Sequence, residues 1–216
     1  MARSTDTRTR MLFAACRALE RGGEPAVNVH KIAKAAGVAV PSLYHHFGSR
    51  KGLVEEAQAY RYEEGMKTMA VRLQTVMTRA TSKTKFASLI RSYLETVVDE
   101  ANADFRRVRV SVLVSAYNNP RLMKRIVAAN ETLVNRLYDY LAPAIEKGWI
   151  AKDVDLRSLI FWSNSVLNGR VIIELDPARS YNEGWNQLYV DTTIHALGLD
   201  RAAPSARPLN LVADTR

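Results

Sequence analysis

The sequence has 216 residues, of which 47% are hydrophobic and 25% charged, as in ordinary globular proteins. No apolar run approaches the roughly 18 residues that a membrane span needs. The first residues lack the hydrophobic core of a signal peptide, and the single cysteine, Cys16, excludes an internal disulfide and a thiolate-rich metal site. We therefore expect a cytoplasmic protein that has no membrane association, no cofactor and no bound metal.

Positive charge is concentrated near the start of the chain. The formal net charge is +9, from 31 basic and 22 acidic side chains. Nine basic but only three acidic residues lie among the first 52, so this quarter of the chain carries six of the nine excess charges. A polyanion or an anionic membrane would attract such a segment, although the same charges could simply keep the surface soluble.

Apolar residues at helical spacing predict four helices in the first 80 residues. They cover about residues 6–21, 29–36, 40–47 and 50–80. Gly22, Gly37 and Gly48 end the first three, because glycine readily adopts the left-handed conformation that follows a helix. Asn28 and Ser49 are suitable N-caps for the second and fourth helices.

The helical rhythm then continues to residue 197. It predicts a helix around residues 86–97, one that carries a basic stripe of Arg106, Arg107 and Arg109, and helices at 121–146, 155–175 and 182–197. No hairpin signal, strand alternation or internal repeat is present. We predict an all-α protein with an N-terminal three-helix domain at 1–52, a larger helical domain at 53–200, and a flexible tail at 201–216.

The second and third helices fulfil the physical requirements of a helix-turn-helix. Two short helices meet across Gly37, and small Ala33 permits them to cross closely. The side chains predicted to pack this corner are Ile32, Ala33, Ala36, Val38, Leu43 and Phe47. The third helix then presents Val40, Pro41, Ser42, Tyr44, His45 and His46 outward, where hydroxyls and imidazoles can bond phosphates or base edges.

Residues 32–53, IAKAAGVAVPSLYHHFGSRKGL, resemble the DNA-binding signature of the TetR family of bacterial regulators. The family pattern combines Ile-Ala, Ala-Gly-Val, Leu-Tyr, His-Phe and a basic residue before the fourth helix. The resemblance extends over about residues 7–57. One position departs from it, because Ala39 stands where a capping Ser or Thr is usual, and the loss of a cap typically costs ~1 kcal/mol.

The resemblance implies a DNA contact set within this segment. Asn28 and His30 open the supporting helix, and Val40, Pro41 and Ser42 face the major groove. Tyr44, His46 and Arg50 resemble the family's phosphate anchors, with Lys51 as a helper, and His45 occupies a variable position that can reach a base or a phosphate. Simpler explanations remain open, since Tyr44 could be a core aromatic and His46 could only fill the corner.

A dimer is expected, because this kind of motif normally binds two half-sites. The resemblance implies that the last two helices of each subunit form the interface as a four-helix bundle. The predicted interface residues are Leu156, Leu159, Ile160, Ser163, Val166, Leu167, Arg170, Trp185, Leu188, Tyr189, Thr192 and Ala196. The alternative is that both stripes belong to the core of a single subunit.

The resemblance also implies an inducer pocket among the middle helices. The candidate lining residues are Met66, Met69, Tyr93, Val97, Tyr138, Trp162, Asn164, Asn168 and Glu174. Methionine and aromatic residues at this spacing are also typical of an ordinary core. By default the resemblance implies a sequence-specific transcription regulator, a repressor that a small-molecule ligand releases from its double-stranded DNA operator.

Two other classes of protein fit the sequence less well. An enzyme is disfavoured, because the four histidines form no metal-binding pair and no Gly-rich phosphate loop, nucleophile elbow or paired-carboxylate site is apparent. A membrane-surface module is disfavoured, because the first 52 residues contain no amphipathic segment with Trp or Phe opposite Lys and Arg.

Overall fold

The computed structural model describes residues 2–178 and 180–200, with side chains from residue 6 onward. Within this part of the chain the regular structure is entirely helical, apart from turns and connections. The α-helices are α1 (Ala2–Gly22), α2 (Val29–Ala36), α3 (Val40–Phe47), α4 (Arg50–Arg79), α5 (Lys83–Val98), α6 (Ala103–Tyr117), α7 (Pro120–Glu146), α8 (Leu156–Glu174) and α9 (Asn182–Ala196). Short 3-10 turns precede α2 at Glu24–Ala26 and α6 at Glu100–Asn102.

The predicted all-α fold is confirmed, and most helix bounds lie within a few residues of prediction. The helix α1 is an exception, because it begins at Ala2 rather than near residue 6. The predicted tail at 201–216 lies outside the described residues. Among the described helices, none is both long and apolar enough to cross a membrane.

The N-terminal domain packs around one small core. The buried side chains of α1, α2 and α3 meet the first turns of α4, where Leu53, Val54 and Ala57 complete the cluster. Leu43 of α3 lies at its centre and is fully buried. The helix α4 continues beyond this core and so joins the N-terminal helices to the rest of the chain.

The helices α4 to α9 form the larger domain around two further cores. One core lies between α4, α6 and α7 and contains Tyr62 and Met66, whereas the other joins α4, α5, α7, α8 and α9. The long helix α4 packs extensively on α7, and α6 packs on α8. Gly65 permits a close approach of α4 to α6, because a Cβ atom there would lie 1.7 Å from the Phe105 ring.

The predicted dimer interface needs correction. Leu156, Ile160, Leu167, Arg170 and Tyr189 are buried within their own subunit, so their side chains are not available to a partner. The most apolar side of α8 and α9 forms part of the core, which is the alternative that the sequence left open for these positions. Of the remaining predicted interface residues, Leu188 and Thr192 are exposed, whereas the others are half-buried: Leu159, Ser163, Val166, Trp185 and Ala196.

Candidate nucleic-acid interface and ligand cavity

The angle between α2 and α3 is set by a glycine turn. Gly37 adopts φ 67° and ψ 38°, which is a left-handed conformation. This conformation is less favourable for residues that have a Cβ atom than for glycine. Its amide and that of Val38 donate to the last carbonyls of α2, with Val38 N 3.0 Å from Ala33 O. The corner residues predicted from the sequence are confirmed as packed, with Val38 half-buried against the core.

The helix ends differ in how their amides are capped. The Asn28 side-chain oxygen accepts from the His30 and Lys31 amides at 3.0 and 3.1 Å, and the Ser49 hydroxyl accepts from Gly52 N at 3.0 Å. Ala39, at the N-cap of α3, provides no such acceptor. Ser42 N instead donates to the Ala39 carbonyl at 3.0 Å, and Pro41 has no amide hydrogen, so the first turn of α3 does not present a set of free amides to a phosphate oxygen.

The outward face of α3 is accessible to a ligand. Pro41 and His45 are exposed, and Tyr44 is 44% exposed, which excludes a purely core role for this aromatic. Val40, Ser42 and His46 are half-buried, and the His45 and His46 ring centroids lie 5.4 Å apart. Of the residues predicted to enter a groove, Pro41 is thus exposed and Val40 and Ser42 are partly exposed, with Asn28 and His30 exposed at the start of α2.

Several basic side chains near this face have no internal counterion. Lys31, Lys34 and Lys51 are exposed and form no ion pair with any described residue. Arg50 instead has a structural role, because its guanidinium donates to the Val27 carbonyl at 2.8 Å and to Glu24 O, tying the start of α4 to the segment before α2. A phosphate contact by Arg50 would add to this role.

A cavity lies inside the larger domain, among α4 to α9. Its volume is about 80 Å³, and most of its wall is aliphatic. Its polar groups include Arg109, Ser163, Asn164 and Tyr189, and the Ser163 and Tyr189 hydroxyls lie 2.5 Å apart. Burial raises the pKa of Tyr189 to about 12, so this phenol is a neutral hydrogen-bonding group at physiological pH.

Five of the residues predicted to line a pocket do so, and four do not. Those that line the cavity are Met66, Met69, Tyr93, Val97 and Asn164. Tyr138 lies under the Arg157 guanidinium, 4.1 Å from its centre, and Trp162 is 39% exposed on the outer side of α8. Asn168 is not part of the wall, and Glu174 is occupied in a buried ion-pair cluster.

That cluster contains two of the three arginines that are buried among the described residues of the larger domain. Arg106 and Arg170 both contact one carboxylate oxygen of Glu174, with Arg106 Nε at 2.7 Å. Arg106 also donates to the Val97 carbonyl, and Arg170 Nε donates to Asn186 at 2.9 Å. One carboxylate therefore serves two guanidiniums, and their remaining donors are largely satisfied by amide oxygens.

Arg109 is the third buried arginine, and sequence reasoning missed its role. It is 1% exposed and donates to the Asn164 side-chain oxygen at 2.7 Å, but its Nε has no hydrogen-bond partner. Of the three arginines in the predicted basic stripe on α6, only Arg107 is exposed. The sequence signal for burial was that Arg106 and Arg109 lie three residues apart in a helix that also contains several valines.

The outer side of α8 carries exposed apolar side chains. Phe161, Ile172 and Leu175 are 54%, 74% and 75% exposed, and helical spacing places them on one face. Ser165 and Gly169 lie between them on the same face, and a Cβ atom at Gly169 would meet nothing within 4 Å. On α9, Leu188 is 67% exposed. Contiguous exposed apolar side chains of this kind typically mark an interaction surface.

Residues 12–57 match the model of a family described as bacterial regulatory proteins, tetR family. This segment contains most of α1, all of α2 and α3, and the first turns of α4, which is the domain that carries the exposed α3 face. A comparison with curated protein sequences found no significant relative.

Solved structures share the fold over nearly the whole chain. A crystal structure described as a TetR-family transcriptional regulator from Rhodococcus sp. aligns with a TM-score of 0.65 and 18% identity, covering 89% of this chain and 99% of that one. Another, from Mesorhizobium loti, gives 0.68 and 15%, covering 89% and 97%. A third, from Cytophaga hutchinsonii, gives 0.68 and 15%, covering 90% and 96%.

Proposed function

We propose that the chain is a DNA-binding transcription regulator of the TetR family, and that it acts as a homodimeric repressor that a small-molecule ligand releases from its operator. In this proposal the protein works in the cytoplasm and catalyses no reaction. The observation that carries it is the exposed face of α3, supported by the core of the domain that matches the family.

The chemistry of the α3 face suits the major groove. The exposed Tyr44 and His45 provide hydrogen-bonding groups for phosphates and bases. Lys31, Lys34 and Lys51 supply charge that no carboxylate of the described residues neutralises. Val40, Pro41 and Ser42, at the start of the helix, are the residues that would reach base edges.

The proposed dimer uses the outer sides of α8 and α9 in place of the stripes predicted from the sequence. Phe161, Ile172, Leu175 and Leu188 provide apolar area that stays exposed in one subunit. The small residues Ser165 and Gly169 would allow the α8 helices of two subunits to approach closely. A twofold axis through this surface would present two copies of α3 to two half-sites.

Ligand release would operate through the spacing of the two recognition helices. The helix α4 has its first turns in the core of the DNA-binding domain and its later residues Met66, Met69 and Leu73 in the wall of the cavity. A ligand that favours the conformer with the wrong spacing by about 3 kcal/mol would weaken DNA affinity roughly a hundredfold.

The DNA-binding part is tested by selecting bound duplexes from a random pool and measuring affinity for the selected duplex. We expect His45→Ala and Lys34→Gln to weaken binding about tenfold, because each removes one contact from the proposed face. Lys83→Gln is the matched control, since Lys83 is an exposed lysine of α5, outside the DNA-binding domain. Equal affinity for all three variants and the unchanged protein would contradict the assignment of this face.

The dimer is tested by sedimentation of surface variants. We expect Ile172→Asp to give monomers, because a buried and unpaired carboxylate opposes association. Val71→Asp is the control. Like Ile172, Val71 is an exposed β-branched apolar residue, 58% exposed, but it lies on α4. A persistent dimer in Ile172→Asp, or a monomer in the unchanged protein, would exclude the proposed interface.

A further inference from the structure

The cavity of the larger domain combines an aliphatic wall with one buried cation. Leu94, Leu137 and Ile160 are typical of the wall, whereas Arg109 is its only charged lining residue. The guanidinium lies between the Tyr62 and Phe105 rings, 5.9 and 5.7 Å from their centroids. These contacts fix the position of the side chain beside the cavity.

The charge of Arg109 is not balanced by any described residue. Glu174 is the carboxylate of the neighbouring buried cluster, and it is shared by Arg106 and Arg170. No described carboxylate forms an ion pair with Arg109, whose partner is the neutral Asn164 amide and whose Nε is unpaired. Burial lowers the pKa of Arg109, but a guanidinium stays protonated at neutral pH because its ordinary pKa is so high.

A buried guanidinium without a counterion is unfavourable in the empty protein. An anion at this point would provide the missing charge and an acceptor for the free Nε–H. The planar donors of a guanidinium match the two oxygens of a carboxylate. The single cation fits one negative charge, and the aliphatic wall fits an apolar body attached to it.

We propose that the cavity binds an apolar monocarboxylate, whose carboxylate pairs with Arg109 and whose apolar part contacts the leucines and isoleucines of the wall. Ser163 and Asn164 lie beside Arg109 and provide polar partners for the same head group. This inference rests on the proposed function in one respect, since it names the chemical class of the ligand that would release the operator.

The test uses three ten-carbon probes that differ in the charge of the head group. Binding of decanoate, 1-decanol and decylamine to the full chain is measured by titration calorimetry, without DNA. We expect decanoate to bind at least about tenfold more tightly than decanol, and decylamine more weakly than either, because only the anion pairs with the buried guanidinium. Equal affinities for the three probes, or no binding of decanoate, would overturn the proposal.

Variants then assign the effect to one side chain. Arg109→Met keeps an unbranched side chain without charge, and we expect it to lower decanoate affinity to that of decanol while leaving decanol binding unchanged. Arg107→Met, which changes the exposed neighbour on α6, is expected to bind all three probes like the unchanged protein. A decanoate preference that survives in Arg109→Met would overturn the role of Arg109. Should that variant not fold, the probe series on the unchanged protein decides.

The same preparations separate this proposal from the proposed function. Decanoate binding by a protein that selects no duplex would support the anion site and exclude the operator-binding role. Conversely, tight duplex binding without any preference for decanoate over decanol would leave the regulator intact and overturn the anion site.

Discussion

The two domains of this protein differ in whether they bury basic side chains between helices. In the N-terminal domain the lysines of α2 and the start of α4 are exposed, whereas in the larger domain Arg106, Arg109 and Arg170 are buried between helices. Exposed charges cost little to fold and are available to a polyanion. Buried charges need a partner inside the protein, so they indicate where the structure specifies a particular geometry or a particular ligand.

The largest loss of stability is expected when the buried counterion of Arg106 and Arg170 is removed. Glu174→Gln would leave two guanidiniums of one cluster without their counterion, and breaking such a buried pair costs roughly 3–5 kcal/mol of unfolding free energy. Asp104→Asn is the control, because Asp104 pairs with Arg107 at the surface. We expect urea unfolding to show a large loss of unfolding free energy for Glu174→Gln and almost none for Asp104→Asn. Similar small losses for both variants would contradict a structural role of the buried cluster.

A smaller loss is expected at the turn that sets α3. Gly37→Ala places a Cβ atom at φ 67° and should lower the unfolding free energy by about 1–2 kcal/mol. Gly37→Asn should lose less, because asparagine tolerates the left-handed region better than alanine. Chemical unfolding of both variants measures the difference, and an alanine variant as stable as the asparagine variant would mean that the turn does not depend on this conformation.

The smallest effect concerns one hydroxyl on the DNA-binding face. Tyr44→Phe should leave stability unchanged, because the side chain is 44% exposed and the hydroxyl donates to no described residue. Affinity for the selected duplex should fall by about 1 kcal/mol, the usual contribution of a neutral hydrogen bond. A variant that is less stable yet binds normally would assign Tyr44 to packing rather than to phosphate contact.

The N-terminal domain could be predicted in detail because its signals are local. Asn28 and Gly37 mark the ends of α2 through contacts within a few residues, and the bounds of α2 and α3 follow from these signals and the spacing of Ile32, Leu43 and Phe47. The α3 face then follows from helical periodicity, since the residues between the core positions must point outward.

The larger domain could be predicted only as a set of helices. Which side of α8 joins the core depends on packing against α6, α7 and α9, and periodicity cannot distinguish a core stripe from an interface stripe. The sequence therefore assigned Ile160 and Leu167 to the dimer, whereas they line the cavity. The burial of Arg109 was missed for the same reason, because it depends on contacts with Tyr62 of α4 and Asn164 of α8, which are both distant in sequence.

The salt dependence of binding to the selected duplex tests the central claim most directly. If each subunit of a dimer neutralises about four phosphates, the logarithm of the affinity should fall with the logarithm of the salt concentration, with a slope of about −7. Between roughly 50 and 200 mM salt the affinity would then fall about ten-thousandfold. A slope near zero would contradict the account, because an exposed basic face that binds DNA must displace counterions.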